Sequence, residues 1–234
     1  GNLDSLSASL GGRAGILYAR GQLDQAMALY EEQERICRQL GNLDGLQASL
    51  GGQANILYAR GQLDQAMALH KEEERICRQL GNLASLSGSL GNQANILYAR
   101  GQLDQAMALH KETERIFRQL GNLDGLQTSL GNQALILKAR GQLDQTMALL
   151  KEQERVCQQI GNPSGLATSL AIQAGIQAQR RQFREAIALA EQTLEIAQSH
   201  GLEALAQKIQ PLLASSAARL PADRSERDLK QPAR

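Results

Sequence analysis

The sequence contains no tryptophan, and aromatic residues make up only 3% of its 234 positions. The core implied by an apolar content of 42% must therefore be aliphatic, built from Leu, Ile, Ala and Met. That favours closely packed helices with small residues where they cross. An excess of one charge is also missing: 25 Lys and Arg against 24 Asp and Glu leave a formal charge of +1. The concentrated positive face of a nucleic-acid binder is absent. No apolar run approaches the roughly 20 residues of a membrane span. The opening Gly1-Asn2-Leu3-Asp4 has neither the basic region nor the apolar stretch of a signal segment. The chain reads as soluble and cytoplasmic.

In place of these features the chain has repetition. Segments beginning at Gly1, Gly41, Gly81 and Gly121 each read, with few changes, GNLxxLxxSLGxxAxILxARGQLDQxMALxxExERxxxQx. A diverged fifth copy begins at Gly161. A fixed period of this length marks a solenoid, in which each unit buries its apolar face on its neighbours. The expected organisation is five 40-residue repeats over 1–200 (1–40, 41–80, 81–120, 121–160 and 161–200), a capping helix over 201–220, and a charged flexible tail over 221–234. Residue 1 is not Met and falls on a repeat boundary, so the chain is expected to be part of something longer.

Each repeat predicts two helices. In the second, Leu43, Leu46, Leu50, Ala54 and Leu57 form one stripe at spacings of three and four. Asn42 is placed to cap the start of this helix and Gly61 to end it. Asp64 is placed to cap or enter the first turn of the second helix, whose apolar side is Ala66, Met67, Leu69, Ile76, Cys77 and Leu80. Glu34 and Arg38, Glu74 and Arg78, and Glu114 and Arg118 are four apart, a spacing that supports a solvated outer face. Pro211 is expected to kink or divide the final helix by removing a backbone hydrogen bond.

Paired helices with small residues at the crossing resemble the tetratricopeptide repeat (TPR). The family pattern can be laid onto Leu50, Gln53, Ala54 and Leu57, then Gly61, Ala66 and His70. Departures are Leu50 for Trp, Gln53 for Leu, and Gly81-Asn82 where the family often has Pro. The 40-residue unit is similar to the long repeats of kinesin light chain and LGN-type scaffolds. The resemblance implies an all-α, right-handed α-solenoid, a TPR-like superhelix whose first helices line a concave groove. Similar arrays also form sensor regions of bacterial signal-transduction ATPases.

On the side opposite the predicted core, the second repeat carries Ala48, Gly51, Gly52, Asn55 and Ala59, and the first carries Ala8, Gly11, Gly12, Gly15 and Ala19. Glycine inside an exposed helix costs about 1 kcal/mol relative to alanine, so the Gly-Gly pairs need a reason. Either they let a ligand approach or they let helices pack. The candidate ligand-binding residues of this face are Asn55, Asn92, Asn95 and Asn132, whose amides suit a peptide backbone. The column Tyr18, Tyr58 and Tyr98 and the single lysine Lys138 complete the set. The resemblance implies the same role, since long-repeat relatives hold extended peptides through asparagines here. The alternative is that these asparagines bond each other or water.

Other features carry no chemistry. Cys37, Cys77 and Cys157 recur at one phase, where Phe117 stands in the third copy, and read as small core residues. His70 and His110 share a phase with Tyr30, Leu150 and Ala190, which makes a poor metal site. Arg20, Arg60, Arg100 and Arg140 stand four residues before Asp24, Asp64, Asp104 and Asp144, and local pairing or compensation of the helix C-terminus is expected. Gln53, Gln93 and Gln133 are placed to bridge stacked helices. No phosphate loop, nucleophile elbow or H-E-x-x-H motif occurs. The expectation is a non-enzymatic module with no cofactor and no metal, binding a protein or peptide partner and neither nucleic acid nor membrane. The alternative is a structural array that associates with itself through its first repeat, which has no polar cap before it.

Overall fold

The computed structural model describes residues 2–220; Gly1 and the tail expected over 221–234 lie outside them. The described residues form helices joined by short turns: α1 (Asn2–Ala19), α2 (Leu23–Leu40), α3 (Leu43–Ala59), α4 (Leu63–Leu80), α5 (Leu83–Ala99), α6 (Leu103–Leu120), α7 (Leu123–Ala139), α8 (Leu143–Ile160), α9 (Pro163–Gln179), α10 (Phe183–Ser199) and α11 (Glu203–Ala217). The chain divides into two compact units, one running to Ile136 and the other from Leu137, so that α7 begins in the first and ends in the second. Each unit is an α-solenoid of paired helices.

The connections of two or three residues follow from local chemistry. Asn42 Oδ1 accepts from the Gly45 N–H at 2.9 Å, and Asn82, Asn122 and Asn162 cap their helices in the same way. At the other end Gly61 takes φ 74°, a left-handed conformation open to glycine. Arg181 adopts φ 61° at the equivalent turn of the fifth copy, where an L-residue is strained. The N-cap of the second helix is Gln62, which makes no side-chain cap bond, and Asp64 lies in the first turn.

In the first unit the core forms between successive pairs. Cys37 of α2, Leu46 and Leu50 of α3 and Ile76 of α4 make one buried cluster, and Cys77, Leu86, Leu90 and Ile116 repeat it one period later. The core of each first helix is wider than the stripe of leucines. Ile56 is fully buried, whereas Leu57 is half-buried, and Ser49, Gly51 and Gln53 are buried beside it. Leu80, expected inside, is exposed, and His70 and Glu73 take the interior positions instead. In the second unit Ile209 of α11 packs on Ala174 of α9 and Ala190 of α10. Helix α11 runs through Pro211 undivided. Packing of Leu212 and Leu213 against the same cluster offsets the lost backbone bond.

Charged residues expected to act locally instead tie neighbouring pairs together. Arg60 bonds Asp24 and Arg100 bonds Asp64, each 36 residues back. In the second unit Arg180 reaches Asp144 at 2.5 Å. The left-handed turn after each arginine carries the next aspartate off its helix face, while the N-terminus of the preceding second helix lies alongside. Arg38 does bond Glu34, but it also donates to Glu72 at 2.9 Å, and Arg78 divides itself in the same way between Glu74 and Glu112. The bridging role of the glutamines holds: Gln53 Nε2 donates to Glu34 at 2.5 Å, Gln93 to Glu74 at 2.8 Å and Gln133 to Glu114 at 2.7 Å.

Packing also accounts for the glycine pair of α3. Gly51 is buried, not on an open face as the helical projection suggested. A Cβ there would fall 2.5 Å from Glu73 Oε1, and one at Gly52 would enter the ring of Tyr30 in the preceding pair. The phase that holds Tyr30 and Gly52 holds His70 and Asn92 one period on, a smaller ring with a larger partner. Replacing Gly52 with Asn is expected to lower stability by about 1–3 kcal/mol through overpacking, although Asn is the better helix former. Adding Tyr30→His should recover most of the loss. Thermal unfolding of the two single variants and the double variant measures this coupling, and a neutral Gly52→Asn would refute the assigned contact.

Candidate functional site

Within the first unit, α5, α6 and α7 enclose an open groove of about 360 Å³ whose lining includes Asn92, Asn95, Asn132 and His110. Three of the candidate asparagines are thus brought together. Asn55 joins them through its Oδ1, which accepts from Asn92 Nδ2 at 2.9 Å. Asn92 therefore bonds another asparagine, one of the two alternatives read from the sequence. Asn95 and Asn132 make no side-chain hydrogen bond among the described residues. Tyr18, Tyr58 and Tyr98 are exposed as a column, but none lines the groove. Lys138 belongs to the second unit, where it borders a separate depression of about 240 Å³ with Ile172, Lys208 and Ile209. A larger depression of about 510 Å³, bordered by Met67, Leu97 and Leu109, contains none of the candidates.

The groove opens where side chains that fill the preceding level are shortened. At that level Gln47 accepts from Cys77 Sγ at 2.8 Å and donates to Ser85 at 3.2 Å, while Glu73 lies under Gly51. One period on, Ser87 and Thr113 take their places. The Ser87 hydroxyl turns back to the Ala84 carbonyl at 2.7 Å. Thr113 donates to the His110 carbonyl at 2.8 Å, as does Ser129. A Cβ added at Gly91, the counterpart of Gly51, would meet nothing within 4 Å. Phe117 fills part of the space where Cys77 stood, and it requires glycine at 125, since a Cβ there would enter its ring.

From the sequence alone His110 is a packing position, and only the structure places it in the groove lining. No pattern in one chain separates it from His70. The signal lies in a neighbour, because Thr113 replaces Glu73, whose Oε2 lies 2.8 Å from His70 Nδ1. The His110 ring makes no hydrogen bond among the described residues and is only 2% exposed. The cysteines are buried and in no disulfide, and burial pushes Cys77 up to about 11, with the Glu73 carboxylate adding to it. This agrees with inert core thiols. Among the described residues no cluster of His, Cys, Asp or Glu is placed to hold a metal, and no helix is long and apolar enough to cross a membrane.

Burial pushes His110 from 6.5 down to about 4. Between these values the unfolded chain binds a proton that the folded chain does not, so stability falls as pH drops through this window. His110→Leu, which copies Leu150 at the same phase, should remove that component. Between pH 7 and 4.5 the wild type is expected to lose about 2 kcal/mol more than the variant. Thermal unfolding at the two pH values reads the difference; equal losses would mean that His110 is not held neutral.

No protein-family profile matches this chain, and no curated protein matches it. Solved structures do. The nearly identical TPR-like repeats of a candidate kinesin light chain from Podosopora anserina are 22% identical, with a TM-score of 0.66, over 82% of this chain and 96% of that one. The signal-transduction ATPase with numerous domains from Pyrococcus horikoshii, which has a tetratricopeptide repeat sensor, gives a TM-score of 0.82 at 14% identity; 92% of this chain is covered, and it spans 34% of that chain. A Rap protein complexed with competence and sporulation factor gives 0.66 at 13% identity, over 94% of this chain and 65% of that one. At these identities the likeness concerns architecture: the chain is an all-α solenoid with a TPR-like repeat fold.

Proposed function

We propose that the protein is an interaction module that holds an extended peptide segment of a partner in the groove of α5, α6 and α7, as the scaffold or sensor part of a larger regulator. The observation that carries this reading is the convergence of Asn92, Asn95 and Asn132 on one groove, with the last two amides uncommitted. A peptide backbone presents alternating donors and acceptors, and a carboxamide answers both. The similarity to a Rap protein complexed with competence and sporulation factor and to a tetratricopeptide repeat sensor supports the reading. Panning a phage-displayed random peptide library against the protein supplies probes. Asn92→Ala with Asn132→Ala is expected to weaken the enriched peptides at least about tenfold in calorimetric titration, roughly one hydrogen bond's worth. The circular dichroism of the helices should be unchanged. Undiminished affinity would remove the groove from the reading.

A second reading rests on α1. Leu6 is 44% exposed and Ile16 55%, whereas Leu46 and Ile56 at the same phases are 6% and 0% exposed. These exposed side chains make an apolar patch on α1, and the occupant this reading assigns is the same face of a second copy. Sedimentation velocity should then reveal concentration-dependent association that Leu6→Glu with Ile16→Glu abolishes. A strict monomer over a wide concentration range would refute it.

A further inference from the structure

The level of the solenoid built from α5, α6 and α7 lacks a side chain that other levels possess. At the phase of Thr113 the other near-identical copies carry Gln33, Glu73 and Gln153, each longer and ending in a planar carboxamide or carboxylate. In the first unit two of these are seen in place. Gln33 lies against Gly11, where a Cβ would fall 2.6 Å from its Nε2, and Glu73 lies against Gly51 with its Oε2 on the His70 ring. At Thr113, a residue type that recurs at this phase only in the diverged fifth copy as Thr193, the place is empty: nothing lies near a Cβ at Gly91, and the buried His110 ring that Glu73 would have met is left without a partner among the described residues.

We propose that this place is a specificity pocket for a glutamine side chain of the bound peptide, which restores from outside the contact that Glu73 makes within the chain. The inference rests on the groove-binding reading above. Three features select a carboxamide over a carboxylate or an amine. Gln33 occupies the equivalent place in this same chain. No lysine or arginine lines the groove, and the one charged residue that does is Asp124, an exposed carboxylate. A carboxylate there would be buried without a countercharge. An ammonium would suit Asp124 at the rim, but it would bring three donors and no acceptor to the buried wall. A carboxamide offers one acceptor and two donors. It can bond the neutral His110 ring whichever nitrogen carries the proton, and turn its other end to Asn95, Asn132 or the open Oδ1 of Asn92. The stem of a glutamine passes over the small residues Gly88 and Gly91.

The test uses the three histidine imidazoles as reporters in carbon-13-edited NMR, with His110 assigned by its loss in His110→Leu. The probe is acetyl-Gly-Gln-Gly-amide, compared with the same peptide carrying Glu, Lys or Leu in the middle. The glutamine probe is expected to move the His110 signal saturably while His70 and His200 stay still, and to bind at least about tenfold more tightly than the other three. Thr113→Gln fills the pocket from within and should abolish the response while raising the unfolding temperature; Gln33 already stands at this place in a folded level of the same chain. Thr113→Val keeps the pocket open and should keep the response. A His110 signal that ignores the glutamine probe, or that responds equally to any of the others, overturns the pocket. The library peptides separate the two readings. Binding that falls with Asn92→Ala and Asn132→Ala but is untouched by Thr113→Gln overturns the pocket and leaves the groove. Binding indifferent to all three overturns both.

Discussion

Everything in this fold depends on one constraint: each helix pair must fit the next copy of itself. A residue meets the neighbours of its own counterpart 40 positions away, so the surface a pair presents on one side has to complement the surface it presents on the other. The polar bonds between pairs express this. Gln93 of α5 donates to Glu74 of α4, and Glu74 also accepts from Arg78, whose second bond runs on to Glu112 of α6. Glu74 is thus shared between a bond inside its own helix and one across a stacking interface, as Glu34 is between Arg38 and Gln53. Exposed ion pairs of this kind contribute little individually. Repeated between successive pairs of the first unit, they help fix the angle at which one pair meets the next, because a slip of one helical turn would leave glutamine and serine groups buried without partners.

The helices and turns were legible because their determinants are local. Asn42 before the leucine stripe and Gly61 after it fix one helix whatever packs on it, and the 3.6-residue period gave Leu46, Leu50 and Ala54 correctly. What the period could not give was the second contact surface. A helix in a stack is buried on its own partner and on the preceding pair, so Ile56, Ser49 and Gly51 lie inside although they fall off the stripe of leucines. The same blindness made Arg60 look like a partner for Asp64. Sequence distance four is a neighbour only within one helix, and the turn between them makes Asp24 the nearer carboxylate. Of the candidate site, the asparagines were legible as a phase on one face, and their gathering into one groove was not. That gathering depends on Ser87 and Thr113, two substitutions on different helices with no periodic signature.

The departures from identity also come in pairs that the constraint explains. Tyr30 faces Gly52, and where the ring becomes His70 its partner phase becomes Asn92. Phe117 faces Gly125; Cys37 also faces a glycine, Gly45, and where the residue is Cys77 its partner phase is Ser85. In a close-packed interior a volume gained on one side of an interface has to be given up on the other. Thr113 breaks this rule. It is shorter than Gln33, Glu73 and Gln153, no side chain has grown into the space beside Gly91, and a buried histidine is left facing the opening.

That imbalance bears on a problem specific to near-identical repeats. A groove built from equal levels offers an extended peptide several equivalent places, displaced from one another by roughly the 8–10 Å between stacked helices. A peptide bound only through repeated amides could slide from one level to the next at little cost in free energy, and its position would carry no information. One level that differs removes the degeneracy. A side chain seated beside His110 has no second seat beside His70, because Glu73 already fills that place and bonds the ring. Nor has it one beneath Gly11, where Gln33 lies. On the groove-binding reading proposed above, register within the first unit is set where the repeat fails to complete itself, and the preceding levels supply binding area without competing for that seat.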